Sequence, residues 1–195
     1  CTDPPAVLIS ASGVGFYGER VDEPVTESSP AGDDFLAQLC VDWEAAADAA
    51  KAFKCRVVMM RLGIVVGPDG GALKTMAPIF RWGIGGPLGS GKQPLPWIDR
   101  QDVLAFIEEA LAREEISGPV NLVTDAPQQK EFARLLGKAL KRPAFLPAPG
   151  FSLKLILGEG ASSILGGQNA IGERLAEWGC SPTQTDLLTA LKRSV

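Results

Sequence analysis

Two short apolar segments bracket a single amphipathic stretch, and that order limits the fold more than any other feature of the 195-residue chain. The first is Val7-Leu8-Ile9, and the second is Arg56-Val57-Val58-Met59-Met60-Arg61, running on toward Ile64-Val65-Val66. Both are short, continuous and rich in branched side chains, as strands buried on both faces are. Between them, Glu19 to Gly32 is polar, carries Pro24 and Pro30, and reads as a surface loop. Asp33 or Asp34 can cap the element that follows, because a carboxylate there accepts free backbone N–H groups. Apolar residues then recur at Phe35, Leu36, Leu39, Cys40, Trp43, Ala46 and Ala47, a helical stripe extending to Phe53. Strand, loop, helix, strand is a βαβ unit, whose right-handed crossover implies a parallel sheet. Two parallel strands do not make a stable sheet alone, so further strands and cover on both faces must come from elsewhere.

Downstream, Gly67-Pro68-Asp69-Gly70-Gly71 is a turn and Ala72 to Trp82 a helix. Gly83 to Trp97 is a Gly/Pro-rich excursion, Asp99 to Arg113 a second amphipathic helix, Val120 to Val123 a buried-type strand and Gln128 to Leu140 a helix. Pro143 to Pro149 is extended; Phe151 to Leu157, Gln168 to Trp178 and Thr183 to Leu191 read as short helices, the second closed by Gly179. The chain is therefore of α/β class, with a mainly helical tail.

Several function classes fall away on composition. A net charge of −4 leaves no electrostatic footprint for nucleic acid, and no apolar run approaches the ~20 residues of a membrane span. There is no histidine, which removes Ser-His-Asp triads and most zinc sites. Cys1, Cys40, Cys55 and Cys180 lack metal-ligand spacing and read as free thiols in a reducing compartment, the cytoplasm or an organelle interior. No metal is expected.

Two Gly-rich runs invite nucleotide readings. Gly86 and Gly91-Lys92 have the separation of a phosphate loop, but Gln93-Pro94 follows where a hydroxyl and a helix are needed. Gly13-Val14-Gly15-Phe16-Tyr17-Gly18 has the glycines of a dinucleotide fingerprint, yet continues into polar loop instead of a helix. Its surroundings carry more information. Ser10, Ala11 and Ser12 are small residues at a strand's carboxyl end, the edge of an open α/β sheet where ligands bind. Lys92 and Arg100, cations near Gly-rich turns, suit a substrate phosphate or are simply solvated.

Ser10-Ala11-Ser12 with Tyr17-Gly18, Trp43-Glu44, Arg61-Leu62-Gly63-Ile64-Val65-Val66-Gly67-Pro68 and Trp97-Ile98-Asp99-Arg100-Gln101-Asp102-Val103 together resemble successive landmarks of extended short-chain dehydrogenase/reductases. Gly32-Asp33-Asp34-Phe35-Leu36, Gly85-Gly86-Pro87-Leu88-Gly89-Ser90-Gly91 and Gly118-Pro119-Val120-Asn121-Leu122 resemble, more narrowly, the nucleoside-diphosphate-sugar epimerase-like subgroup. The likeness runs nearly end to end, through Phe132-Ala133 and Arg142-Pro143. It implies the C-terminal part of a Rossmann-type parallel sheet (1–68 and 99–125) and a small, mainly helical substrate lobe (69–98 and 126–195). It implies NADP(H) or NAD(H) as cofactor, a small-molecule substrate such as a nucleotide sugar, and an oligomer as one option. The pyrophosphate-binding turn would belong to an N-terminal portion preceding residue 1.

The resemblance also assigns sites: Ser12 and Tyr17 as catalytic; Ser10, Ala11, Arg61, Gly63, Ile64 and Val65 beside the cofactor; Lys92 and Arg100 toward substrate. In that superfamily a tyrosine and a lysine four residues later share the proton chemistry, and counting back from Glu44 their positions fall on Leu36 and Cys40. Neither can replace them, so a non-catalytic cofactor-binding or scaffold protein is the alternative expectation.

Overall fold

The computed structural model describes residues 4–68, 70–147 and 166–195. β1 (Val7–Gly13), β3 (Arg56–Leu62) and β6 (Gly118–Leu122) form a three-stranded parallel sheet in the order β1-β3-β6. A helix, α1 (Phe35–Asp48), capped by Asp34 Oδ1 on the Ala37 N–H at 2.9 Å, covers one face. On the other lies α3 (Arg100–Ala112), whose Val103, Phe106 and Ala110 pack with Val58, Met60 and Val120. These elements are the βαβ unit and its continuation. No strand among the described residues pairs with the outer edge of β1.

The amphipathic stripe does not sit on the sheet as expected. α1 buries Ala37, Glu44 and Ala47, while Phe35, Leu39 and Trp43 are 79%, 45% and 56% exposed. Small side chains let the helix backbone approach the strands closely, and the bulky ones are turned outward.

Three strands escape a reading of the sequence. β2 (Arg20–Val25), inside the expected loop, pairs in parallel with β7 (Gln168–Ala170). β7 takes the start of the expected 168–178 helix, which shrinks to α5 (Glu173–Glu177). The break is at Gly172, where a Cβ would stand 2.7 Å from the Asn121 carbonyl. Nor does β3 continue into Ile64–Val66. The chain leaves the sheet at Gly63, whose absent Cβ makes room for the Pro96 carbonyl, and β4 (Ile64–Val66) pairs with β5 (Trp97–Asp99).

Around β4 and β5, α2 (Gly71–Arg81), α4 (Gln129–Leu140) and α6 (Leu187–Ser194) share a second core of Leu73, Phe80, Trp97, Phe132, Leu136 and Leu191. α6 begins later than the expected 183, because the Asp102 carboxylate binds the Thr183 N–H, the Thr183 hydroxyl and the Gln184 N–H. Gly179 does adopt a left-handed φ of 66° just past α5. The expected helix over 151–157 lies outside the described residues. Among the described residues no helix is long and apolar enough to cross a membrane, and no His/Cys/Asp/Glu cluster could hold a metal.

Candidate functional site

Strand register assembles a polar row. Ser12 on β1 is matched to Arg61 on β3, and Arg61 to Asn121 on β6. Matched residues of parallel neighbours project from the same face, so the three side chains line up near the carboxyl ends of their strands. That face is the one α1 covers. There Glu44, 8% exposed, accepts the Ser12 hydroxyl at 2.8 Å and the Arg61 Nε at 2.8 Å on Oε1, and Arg61 Nη2 at 2.7 Å on Oε2. This is a two-pronged, charge-assisted contact between buried groups.

The row continues inward. Arg61 Nη1 donates to the Tyr17 hydroxyl at 3.0 Å, and that hydroxyl donates to Asn121 Oδ1 at 2.6 Å. Asn121 Nδ2 donates to the Ile171 carbonyl, and the Asn121 N–H to Glu27 Oε1 at 3.0 Å. The other Glu27 oxygen is buried with no hydrogen-bond partner among the described residues. The Arg61 guanidinium also lies 3.4 Å from the centroid of the Phe16 ring, a cation–π contact.

Burial sets the electrostatics. Desolvation pushes the Tyr17 phenol above its ordinary range, against the charge and hydrogen bond of Arg61. Burial opposes the charge of Arg61, but the bonds to Glu44 and Tyr17 outweigh it and hold the guanidinium protonated. Desolvation also raises the Cys40 thiol, which lies beside Gly13 and Ser12 and is thereby kept un-ionised.

The site's relatives are epimerase-family proteins. The chain is 44% identical over 177 residues to the Arabidopsis thaliana protein named Epimerase family protein SDR39U1 homolog, chloroplastic, covering 90% of this chain and 50% of that protein. It is 38% identical over 192 residues to the mouse Epimerase family protein SDR39U1, 97% of this chain and 65% of that one. A crystal structure of human epimerase family protein SDR39U1 (isoform2) with NADPH matches at a TM-score of 0.90 and 36% identity, over 98% of this chain and 66% of that chain. The chain belongs to the epimerase-like short-chain dehydrogenase/reductase family. It spans half to about two thirds of the length of these relatives. A family model described as Domain of unknown function (DUF1731) matches residues 148–194.

Within this epimerase-like chain, the residues singled out from sequence occupy three places. Ser12, Tyr17 and Arg61 share one hydrogen-bonded network, with Ser10 and the exposed Ala11 on the same strand. Tyr17 is fully buried and Arg61 is 4% exposed. Gly63, Ile64 and Val65 form the crossing from the main sheet to β4, where their backbone bonds go to Leu122, Pro96 and the β5 partner strand. Arg100 is exposed, its Nη1 donating to the Pro68 carbonyl at 3.0 Å, and Lys92 is exposed in the loop between α2 and β5. Neither belongs to the Ser12 network.

Glu44, Asn121 and Glu27 complete that network without having been singled out as site residues. Glu44 carries a usable signal, since it shares the small-residue side of α1 with Ala37 and Ala47, the side that approaches a sheet most closely. Asn121 and Glu27 carry none, because only strand register and loop packing bring them in.

Whether these residues suit a dinucleotide can be judged at the β1 edge. Ala11 is exposed and Ser12 half-buried, so small side chains leave that end of the strand open. Among the described residues no Gly-rich strand–turn–helix offers a pyrophosphate cradle. The described residues thus offer an open strand end lined by small side chains, without a phosphate cradle beside it.

Proposed function

We propose that this chain carries the substrate-facing part of an NADP(H)- or NAD(H)-dependent epimerase-like oxidoreductase, with nucleotide sugars as the first substrate class to test. The observation that carries the proposal is the Ser12–Glu44 hydrogen bond of 2.8 Å. Glu44 accepts the hydrogen bond of the Ser12 hydroxyl, so the lone pairs of the serine oxygen are left to accept from a donor. A substrate hydroxyl at the open end of β1 is such a donor, and Ser12 then orients it. Ser10 and Ala11 on the same strand would border the cofactor. Bound nicotinamide supplies hydride transfer. Arg61 and Tyr17 act from the interior: Arg61 fixes Glu44, and Tyr17 fixes Arg61 against Asn121. Pyrophosphate binding falls to residues outside this set. The free Cys40, Cys55 and Cys180 suit a reducing compartment.

The test is a hydride-transfer assay. Purified protein at millimolar NADP⁺ or NAD⁺ is offered a panel of nucleotide sugars, and absorbance of the reduced cofactor is followed. Ser12→Ala is expected to lower kcat by about 100-fold, in keeping with the loss of a group that positions the substrate, while leaving KM for the cofactor little changed. Turnover that survives Ser12→Ala undiminished would sink the assignment.

A further inference from the structure

A second, chemically different site lies in the β4–β5 part of the molecule. A cleft of about 490 Å³ separates one face of α2 from the carboxyl-terminal end of α6. Lys74, Ala77 and Arg81 recur at i, i+3 and i+7, so they stack along that face of α2 and form one wall. Arg193 and Val195 form the opposite wall, and the Gly67–Pro68 turn after β4 closes one end.

The arginine across the cleft is built in. Arg193 Nη2 is bound at 2.5 Å by Asp99 Oδ2, and Asp99 is 2% exposed at the end of β5. The other Asp99 oxygen accepts the Gln101 N–H at the start of α3. A buried carboxylate thus anchors one prong of a guanidinium whose side chain remains 52% exposed, leaving its other donors available. Lys74 and Arg81 are exposed and make no ion pair among the described residues. Among the described residues that line the cleft no Asp or Glu side chain opposes these three cations, and Asp99, which binds Arg193, is already engaged, so the described lining is net positive. Arg100 borders it as well: its Nη1 holds the Pro68 carbonyl, and Gly67 is a glycine because a Cβ there would meet the Arg100 side chain at 2.9 Å.

We infer that this cleft binds a phosphate-bearing small molecule, its anionic group held between Lys74 and Arg81 on one wall and Arg193 on the other. Guanidinium forks and ammonium groups converging from two walls match a phosphate, and the apolar floor at Leu73 and Ala77 leaves room for the rest of the ligand. None of its residues belongs to the Ser12–Glu44 network, so the two sites stand or fall separately.

Inorganic pyrophosphate is the probe. It is titrated calorimetrically into the 195-residue protein at constant ionic strength, and the expected result is saturable 1:1 binding. Lys74→Ala/Arg81→Ala is expected to weaken it at least 10-fold, whereas Lys92→Ala and Ser12→Ala leave it within 2-fold. Both α2 positions are exposed, and an unchanged unfolding midpoint in the double variant confirms an intact fold. Absence of saturable binding would overturn the site, as would equal weakening by Lys92→Ala, which would mark general charge attraction.

Discussion

Ser12 and Glu44 meet at 2.8 Å across the interface between β1 and α1, 32 residues apart in sequence. The carboxylate that accepts the serine hydrogen bond is itself gripped by Arg61 through both oxygens. The orientation of the Ser12 hydroxyl at the open sheet edge therefore depends on a buried ion pair. Cys40 and Leu36, one and two turns earlier on the same helix, supply no comparable group.

Removing Glu44 should destabilise the protein strongly. Glu44→Ala leaves Arg61 buried with no carboxylate, a loss of about 3–5 kcal/mol, whereas Glu44→Gln retains hydrogen-bonding capacity and should cost less. Urea unfolding of the two variants measures this. A loss under about 1 kcal/mol for Glu44→Ala would mean that water or another group readily replaces the pair.

Tyr17 is the only tyrosine, so its ionisation can be followed alone by absorbance near 295 nm. Burial raises its pKa in the folded protein, so the folded phenol should stay neutral where the unfolded one, near its ordinary value of about 10, has begun to ionise. The unfolded state then binds fewer protons, and stability should fall as pH rises above about 10. This contribution is fully present below that pH. A Tyr17 titrating at or below about 10 while the protein remains folded would contradict the buried network.

Gly63 should tolerate no side chain. A Cβ there lies 2.8 Å from the Pro96 carbonyl oxygen and 2.9 Å from its carbon, both backbone atoms. Gly63→Ala is expected to cost about 1–3 kcal/mol through displaced backbone between β3 and β4. An unfolding midpoint equal to the parent's would show that the crossing is looser than described.

Exposed apolar positions on α1 should behave oppositely. Leu39, 45% exposed, lies on the outward side of the helix. Leu39→Gln should change stability by no more than about 0.5 kcal/mol. A loss several times larger would place that side of α1 against another surface.

The elements legible in the sequence are those whose burial leaves a local period. β1 and β3 each carry a short continuous apolar run, β6 an apolar stretch broken at Asn121, and α3 and α4 repeat their apolar residues at helical spacing. β2 and β7 are not legible, because Arg20-Val21-Asp22-Glu23-Pro24-Val25 and Gln168-Asn169-Ala170 are polar and short. Their pairing joins residues about 150 positions apart. The inward side of α1 is only partly legible for a related reason: the apolar stripe includes Ala47 but not Ala37, whose small size also brings the helix onto the strands. At the candidate site, Ser12 stands out in the sequence as a small hydroxyl residue at a strand end. Its partner Glu44 required knowing which side of α1 meets the sheet, and Asn121 required the β3–β6 register.

Cofactor affinity should be low for these 195 residues alone. With no pyrophosphate cradle among the described residues, NADPH is expected to bind with a Kd of about 1 mM or weaker. Fluorescence titration giving sub-micromolar affinity would require a pyrophosphate cradle beside β1, which the described residues do not provide.

The most direct measurement is an NADPH titration followed by amide shifts in ¹H–¹⁵N NMR spectra, which maps even weak binding to residues. The account predicts saturable shifts centred on Ser10, Ala11, Ser12 and Gly13 at the carboxyl end of β1, with α3 unaffected. Shifts elsewhere that leave Ala11–Gly13 unmoved at saturation would contradict it.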